Sequence, residues 1–410
     1  MLDLVLSYAR VLDPVSGSYL EGRNVAIQGG KIVEVEHAPI RNSAARTVDL
    51  GGRVLMPGLS DAHVHVTAST ADFALLGRLS PFYVSAKSGE ILNGMLMRGF
   101  TTVRDAGGAD WGLAKAVQEG VIAGPRLLFC GHALSQTGGH GDMRGPGEAF
   151  RLGQCFCCAG LGVVCDGVPD VRRACREEIR RGATHIKLMV SGGVASPTDR
   201  IDSTQFSIEE IKAAIEEAEA ANIPVMAHAY TPRAINRALE CGVDSIEHGN
   251  LLDQSSVDLF VKLGKFLVPT LSTYHALAEE GVAAGLPPDL HAKVFEVLDA
   301  GQRALELAHR GGVKIAYGTD LLGKMQRHQL REFAIRGEVQ KPIDVIRSAT
   351  VIAAELFRMS GQIGVVAPGA FADLLVVEGD PLADLGVMQA PEKFLKAILK
   401  EGQFHKNELA

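Results

Sequence analysis

Nowhere does this sequence hold an uninterrupted apolar run near the roughly 20 residues that span a bilayer, so no transmembrane helix is expected. The N-terminus, Met1-Leu2-Asp3-Leu4-Val5-Leu6, lacks the basic region and long apolar core of a secretory signal, which makes the cytoplasm the expected compartment. Basic runs are missing too. The net charge is −7 with acids and bases interspersed, which argues against nucleic acid as a partner. Internal repeats and low-complexity tracts are absent. Cysteine is sparse and odd in number: Cys130, Cys155, Cys157, Cys158, Cys165, Cys175 and Cys241. A chain of 410 residues needs no disulfide staples, so reduced thiols are the simpler reading. Cys155-Phe156-Cys157-Cys158 with Cys165 matches no standard zinc spacing, and a loop with free thiols is preferred to a metal clip.

What is present suits a large barrel and something smaller. The chain is too long for one ordinary core, and 47% hydrophobic residues with 46 glycines fit buried strands joined by short turns. Residues 1–56 read as short strands and tight turns, with Asp13-Pro14-Val15-Ser16-Gly17 and Gln28-Gly29-Gly30-Lys31 as turn signals. From residue 57 apolar β-runs alternate with helical patterns, the mark of βα units around a parallel sheet. Ser207-Ile208-Glu209-Glu210 is a capping box opening a helix to about Ala221. Thr231-Pro232 offers an N-cap with proline at N1, and Gly242 ends that helix. β-Runs fit Leu59 to Val66, Thr101 to Asp105, Arg126 to Cys130, His185 to Val190, Ile223 to His228, Val243 to His248, Lys265 to Thr270 and Val313 to Asp320. Eight runs with helices between them predict an α/β fold, a (β/α)₈ barrel. After residue 361 strands return without helices, at Gly364 to Val366, Ala372 to Val377 and Phe394 to Lys400. The expected domains are therefore a barrel over 57–360, inserted in a small discontinuous β-sandwich of 1–56 and 361–410.

Active sites of such barrels lie at the C-terminal ends of the strands. There the first run carries His63 and His65, the fifth ends in His228, the sixth in His248 and the eighth in Asp320. Residues two apart on a strand face the same way, so His63 and His65 converge. Each histidine alone reads as a core or loop residue, and Asp320 alone as an N-cap. Together, four His and one Asp at one rim are a ligand set for Zn²⁺ or a similar divalent ion. Lys187 sits in the apolar run His185-Ile186-Lys187-Leu188-Met189-Val190. It reads either as a lysine snorkelling to the rim or as one that CO₂ converts to a carbamate, turning a costly buried cation into a bridging carboxylate.

Two segments carry a resemblance that spans nearly the whole chain. Met56-Pro57-Gly58-Leu59-Ser60-Asp61-Ala62-His63-Val64-His65 resembles the first metal motif of the amidohydrolase superfamily, and Gly369-Ala370-Phe371-Ala372-Asp373-Leu374-Leu375-Val376 its C-terminal signature. His185-Ile186-Lys187, Met189-Val190-Ser191-Gly192-Gly193, Ala227-His228-Ala229-Tyr230, Ile246-Glu247-His248-Gly249 and Gly318-Thr319-Asp320 resemble the imidazolonepropionase-related group that includes Xaa-Pro dipeptidases, or prolidases. The resemblance implies two divalent metals, with zinc expected. His63, His65 and Asp320 would hold one, His228 and His248 the other, and a carboxylated Lys187 would bridge them. It implies hydrolysis of a dipeptide amide bond by a metal-bridging hydroxide, with Asp320 shuttling the proton and His140 as a second contact to the carbonyl. Tyr230 is a candidate contact to the substrate carbonyl or carboxylate, and the N–H groups of Gly192-Gly193 read as a carboxylate cradle or a plain turn. One alternative is a hydrolase of cyclic amides or imidazolone-type substrates that uses one metal. Another is a non-catalytic barrel kept as a scaffold, which the filled ligand positions argue against. Association into a homo-oligomer is expected from exposed helical faces.

Overall fold

The computed structural model describes residues 1–145, 147–148 and 160–409. By internal contacts the chain forms two units: residues 1–61, 93–102 and 333–410, and residues 62–92 and 103–332.

The first unit gathers both chain ends into one mixed sheet of eight strands. Leu2–Asp13 is its hub. It pairs antiparallel with Ser18–Gln28 and parallel with Ala44–Asp49 and Val54–Pro57. Val54–Pro57 pairs antiparallel with Leu374–Val377, which continues through Leu395–Lys400 to Gln403–Asn407. The far strand Lys31–Glu36 comes back to the C-terminal segment, where Ile32 N donates to Ala370 O at 2.9 Å. The sheet thus closes over one apolar cluster that includes Leu6, Val11, Val25, Ile27, Leu55, Leu374, Val376 and Leu399. The small sandwich expected from sequence is built from a single curled sheet. Two details differ from the expectation. Gly364 to Val366 is a turn, because Gly364 has φ +75° and packs so closely on Thr350 that a Cβ would lie 2.7 Å from its backbone. Short helices, Gly386–Gln389 and Pro391–Phe394, also interrupt the C-terminal strands.

The second unit carries the (β/α)₈ barrel. Its strands are Leu59–Val64 and Phe100–Asp105, both entering from the first unit along the chain, then Arg126–Phe129 with Ala133–Ser135, Ile186–Met189, Val225–Ala229, Ser245–His248, Phe266–Val268 and Lys314–Ile315. The later strands pair in parallel, each with the next. The seam between the last and the first is closed by Ala62 N to Tyr317 O at 2.7 Å and Asp320 N to His63 O at 2.8 Å. The third strand breaks at Cys130-Gly131-His132, and an extra strand, Gly162–Val164, pairs with Ala133–Ser135. Local signals explain the helices. Ser207 and Glu210 form both halves of the capping box of Ile208–Ala220. Thr231 caps Pro232–Cys241, which ends on Gly242 at φ +113°. A second apolar cluster, including Ala68, Leu76, Val194, Tyr230, Tyr274, Leu277, Leu290, Val294 and Leu322, packs the loops and helices around the barrel mouth.

Candidate metal centre

Five strand ends bring the six predicted ligands to one cavity of about 990 Å³, whose wall includes His63, His65, Lys187, His228, His248 and Asp320. His63 and His65 lie two residues apart on the first strand and its extension. Their Nε2 atoms stand 3.4 and 3.2 Å from Asp320 Oδ1. One donor atom from each of the three lies within 4.8 Å of the others. The rings of His63 and His248 are 5.0 Å apart, and those of His228 and His248 are 4.6 Å apart.

Three of the four imidazoles are held by a partner at Nδ1. His63 Nδ1 lies 2.7 Å from Glu247 Oε2, and Glu247 Oε1 accepts from Arg104 Nη2 at 2.9 Å. Arg104 also donates from Nε to Ala62 O at 2.8 Å, and Ser245 Oγ donates to Glu247 Oε1 at 2.6 Å. His65 Nδ1 lies 3.0 Å from Gly107 O, in a loop that Asp105 shapes by accepting from the N–H groups of Val66, Gly107 and Ala109. His248 Nδ1 lies 2.7 Å from Thr270 Oγ1. Such outer partners fix tautomer and ring direction, and they raise ligand basicity. At His228 it is Nε2 that has the partner, 3.1 Å from Gly192 O.

The electrostatics suit cation binding. Burial pushes His228 and His248 well below the ordinary imidazole range, so both are neutral and have a lone pair to give. Burial also lowers His65, but its hydrogen bond to Asp320 and that residue's charge outweigh this and leave it raised. Burial would raise Asp320; the facing imidazoles of His63 and His65 hold it well below the carboxylate range instead. Glu247 is likewise depressed, because the Arg104 cation and the His63 hydrogen bond overcome its burial. Lys187 is buried at 1% exposure. Desolvation lowers it to about 8 from 10.5, against the pull of Glu247 and Asp320. Among the described residues none hydrogen-bonds or ion-pairs with its ammonium. Neutral imidazoles, a facing carboxylate and a lysine poised to lose its proton form a donor set that fits divalent ions.

His140 stacks on His228, with ring centroids 4.1 Å apart and planes at 21°. Its Nδ1 lies 2.7 Å from Ser196 Oγ. Tyr230 lines the cavity and accepts from Tyr274 OH at 3.0 Å. The N–H groups of Gly192 and Gly193 are already used, by Ser203 O and Asp199 Oδ2, and neither is left over for a substrate carboxylate. Cys165 is buried, and burial raises its thiol; Cys155, Cys157 and Cys158 lie outside the described residues. Sequence reasoning gave no role to Arg104, Asp105, Glu247, Thr270, Ser196 or Asp199. The available signal was a charge inside an apolar run, at Arg104 and Glu247, since buried charges must find partners.

A sequence profile of the amidohydrolase family matches residues 54–401. Over 419 aligned positions the chain is 32% identical to an ochratoxinase of Aspergillus niger, covering 98% of this chain and 87% of that one. A crystal structure of a prolidase complexed with N-methylphosphonate-L-proline is 49% identical, with a TM-score of 0.96, covering 98% of this chain and 99% of that one. A Xaa-Pro dipeptidase with bound methionine in the active site is 28% identical, with a TM-score of 0.88, over 98% of this chain and all of the other. No helix among the described residues is long and apolar enough to cross a membrane.

Proposed function

The chain belongs to the amidohydrolase family, and from that premise we propose that it hydrolyses a dipeptide amide bond of the Xaa-Pro type. The observation that carries this reading is the convergence of six ligand-type side chains on one cavity in a chain 49% identical to a prolidase that binds a proline phosphonate. His63, His65 and Asp320 would hold one divalent ion, His228 and His248 a second, and Lys187, as a carbamate, would lie between them; zinc suits this set of nitrogen and oxygen donors. When bound, such ions supply an activated water near neutral pH and polarise the scissile carbonyl.

The chain's own groups do the rest. The carbamate forms when the neutral Lys187 amine attacks CO₂, making an N–C bond and releasing a proton, which a lowered amine pKa favours. Asp320 keeps its carboxylate ionised, takes the proton of the attacking water and gives it to the amide nitrogen. In an Xaa-Pro substrate that nitrogen has no hydrogen and leaves as a secondary amine, so it needs that proton. His140, in the form with hydrogen on both ring nitrogens, is the group to donate Nε2–H to the carbonyl oxygen as negative charge develops there, since its Nδ1 is engaged by Ser196 Oγ. Tyr230, whose ring lies 4.9 Å from that of His228, would also contact the substrate.

A second reading has its own support. The ochratoxinase relative covers the whole barrel, and a cavity of about 990 Å³ is roomy for a dipeptide. That reading is hydrolysis of a larger amide by the same residues. The test is a panel of Xaa-Pro dipeptides, other dipeptides, bulky N-acyl amino acids and lactams, assayed on protein of verified metal content. Xaa-Pro turnover well above the rest is expected. Preference for lactams or bulky amides would reject the dipeptide reading, and wild-type turnover by a fully metallated Asp320→Asn variant would reject the role of Asp320.

A further inference from the structure

Lys293 has no place in the reaction described above, yet its ammonium is fully engaged beside it. It lies on the helix Pro288–Arg310 and reaches the loop that follows the fourth barrel strand. There it donates to the carbonyl oxygens of Asp199 at 2.8 Å, Ser196 at 3.0 Å and Gly193 at 3.4 Å, and it stands 3.9 Å from Asp199 Oδ1. Three acceptors meet the three N–H bonds of one cation.

Asp199 organises the same loop from within, with its side chain 2% exposed. Its Oδ2 accepts from Gln205 Nε2 at 2.9 Å and from Gly193 N at 3.3 Å, and its Oδ1 accepts from the Ser196 hydroxyl. Because the Ser196 proton goes to Asp199, its oxygen is left to accept, and His140 Nδ1–H donates to it at 2.7 Å. Gln205 Oε1 accepts from His140 N at 2.8 Å. His140 is therefore gripped at its ring and at its backbone by partners of one carboxylate. Gly193 completes the seat: a Cβ there would fall 2.2 Å from the His140 ring.

We propose that Lys293 is a positioning residue for the hydrolysis: it locks the loop 191–205 around Asp199, and the locked loop fixes the His140 ring against the site. This rests on the reading of His140 as the contact to the carbonyl. Stability alone is a poor reason for the arrangement. The helix already buries Leu290, Val294 and Val297, and a buried ion pair is weak evidence of net stabilisation. What the ammonium adds is direction. Each carbonyl it holds belongs to a residue that touches His140, or to Asp199, which orders those residues.

The test is a double-mutant cycle on the metal-loaded enzyme, Lys293→Met against His140→Ala, with kcat and KM read on an Xaa-Pro dipeptide. Lys293→Met is expected to lower kcat by about tenfold with KM changed by less than about twofold, in line with the loss of an orienting partner. In the His140→Ala background the same change is expected to have no further effect. Equal losses in both backgrounds, or a loss confined to KM, would overturn the proposal while leaving His140 in its role. Full activity of His140→Ala would remove that role and the proposal with it. Ser196→Ala cuts the same path beyond the ammonium cage, and it answers the question should Lys293→Met fail to fold. It should show the same kcat loss and the same silence when His140 is absent; wild-type kcat would refute the path.

Discussion

Replacing Glu247 with Gln changes one atom and should reverse a proton. In the native site Glu247 Oε2 accepts from His63 Nδ1–H at 2.7 Å, which leaves the His63 Nε2 lone pair facing Asp320. The glutamine oxygen can still take the Arg104 and Ser245 bonds at Oε1. Its amide then presents N–H groups to His63, whose Nδ1 must accept. The proton moves to Nε2, the one nitrogen able to serve as ligand there. Loss of an orienting partner of this kind costs about 10- to 100-fold in metal affinity, or about 1.4–2.7 kcal/mol. Stability suffers separately. The Arg104 and Glu247 side chains are 2% and 0% exposed, and leaving a buried cation without its counter-charge costs about 3 kcal/mol. The two effects separate in assay. Competition with a chelator, read by metal analysis at equilibrium, gives the affinity, and denaturant unfolding of the metal-free protein gives the stability. A Glu247→Gln protein that folds and binds both ions as tightly as wild type would refute the tautomer argument. Loss of affinity with unchanged apoprotein stability would refute the claim that the Arg104 pair supports the fold.

Further outcomes follow from the same coordinates. Lys187, lowered to about 8, should be about one-tenth neutral at pH 7. Reconstitution of the metal-free protein with metal should then speed up with added bicarbonate and stall in CO₂-free buffer, and insensitivity to bicarbonate would reject the carbamate. Because its folded pKa lies below the unfolded one, the unfolded chain binds more protons between about pH 8 and 10.5. Wild-type apoprotein should therefore gain stability relative to Lys187→Met as pH rises through that window, and a flat difference would contradict the shift. Gly193→Ala puts a methyl 2.2 Å from the His140 ring; overpacking of this kind costs about 1–3 kcal/mol. Thermal unfolding and kcat should both fall, and a variant equal to wild type in both would show that the ring is free to move.

How much of this was readable beforehand depended on the range of the determining interaction. The helices around Ser207 and Thr231 follow from side chains within four residues of the cap, so their starts could be read directly. The barrel followed from alternation of β-runs and helical stretches, and the candidate ligand histidines from their places at the ends of those runs. What could not be read was set by contacts distant in sequence. Glu247 and Arg104 are 143 positions apart. The Gly364 turn is dictated by a close approach to Thr350, not by its own β-rich neighbours. The break in the third strand admits Glu178, whose Oε2 occupies the space a Cβ of Gly131 would need, and no local pattern announces a carboxylate arriving from a helix.

The rim itself shows why simple alternation falls short at the site. Glu247 and His248 are consecutive, so a regular strand would send them to opposite faces. Yet Glu247 meets His63 from within the barrel, and the His248 ring also lies 5.0 Å from the His63 ring. The resolution is in the backbone. His248 has φ +73°, Thr270 +49° and Asp320 +51°. Three non-glycine residues, ending three successive strands, occupy the left-handed region that L-residues disfavour by about 1–3 kcal/mol each. Each such residue re-aims its side chain just where the ladder ends. The turn is held by long-range bonds: Asp320 N to His63 O at 2.8 Å, and His248 Nδ1 to Thr270 Oγ1 at 2.7 Å. Strain of this kind persists only where the surroundings over-determine it, and here all three positions surround the candidate metal centre. At His248 and Asp320 it is this break in alternation, and not the strand pattern that serves for His63 and His65, that turns the side chain toward the candidate centre.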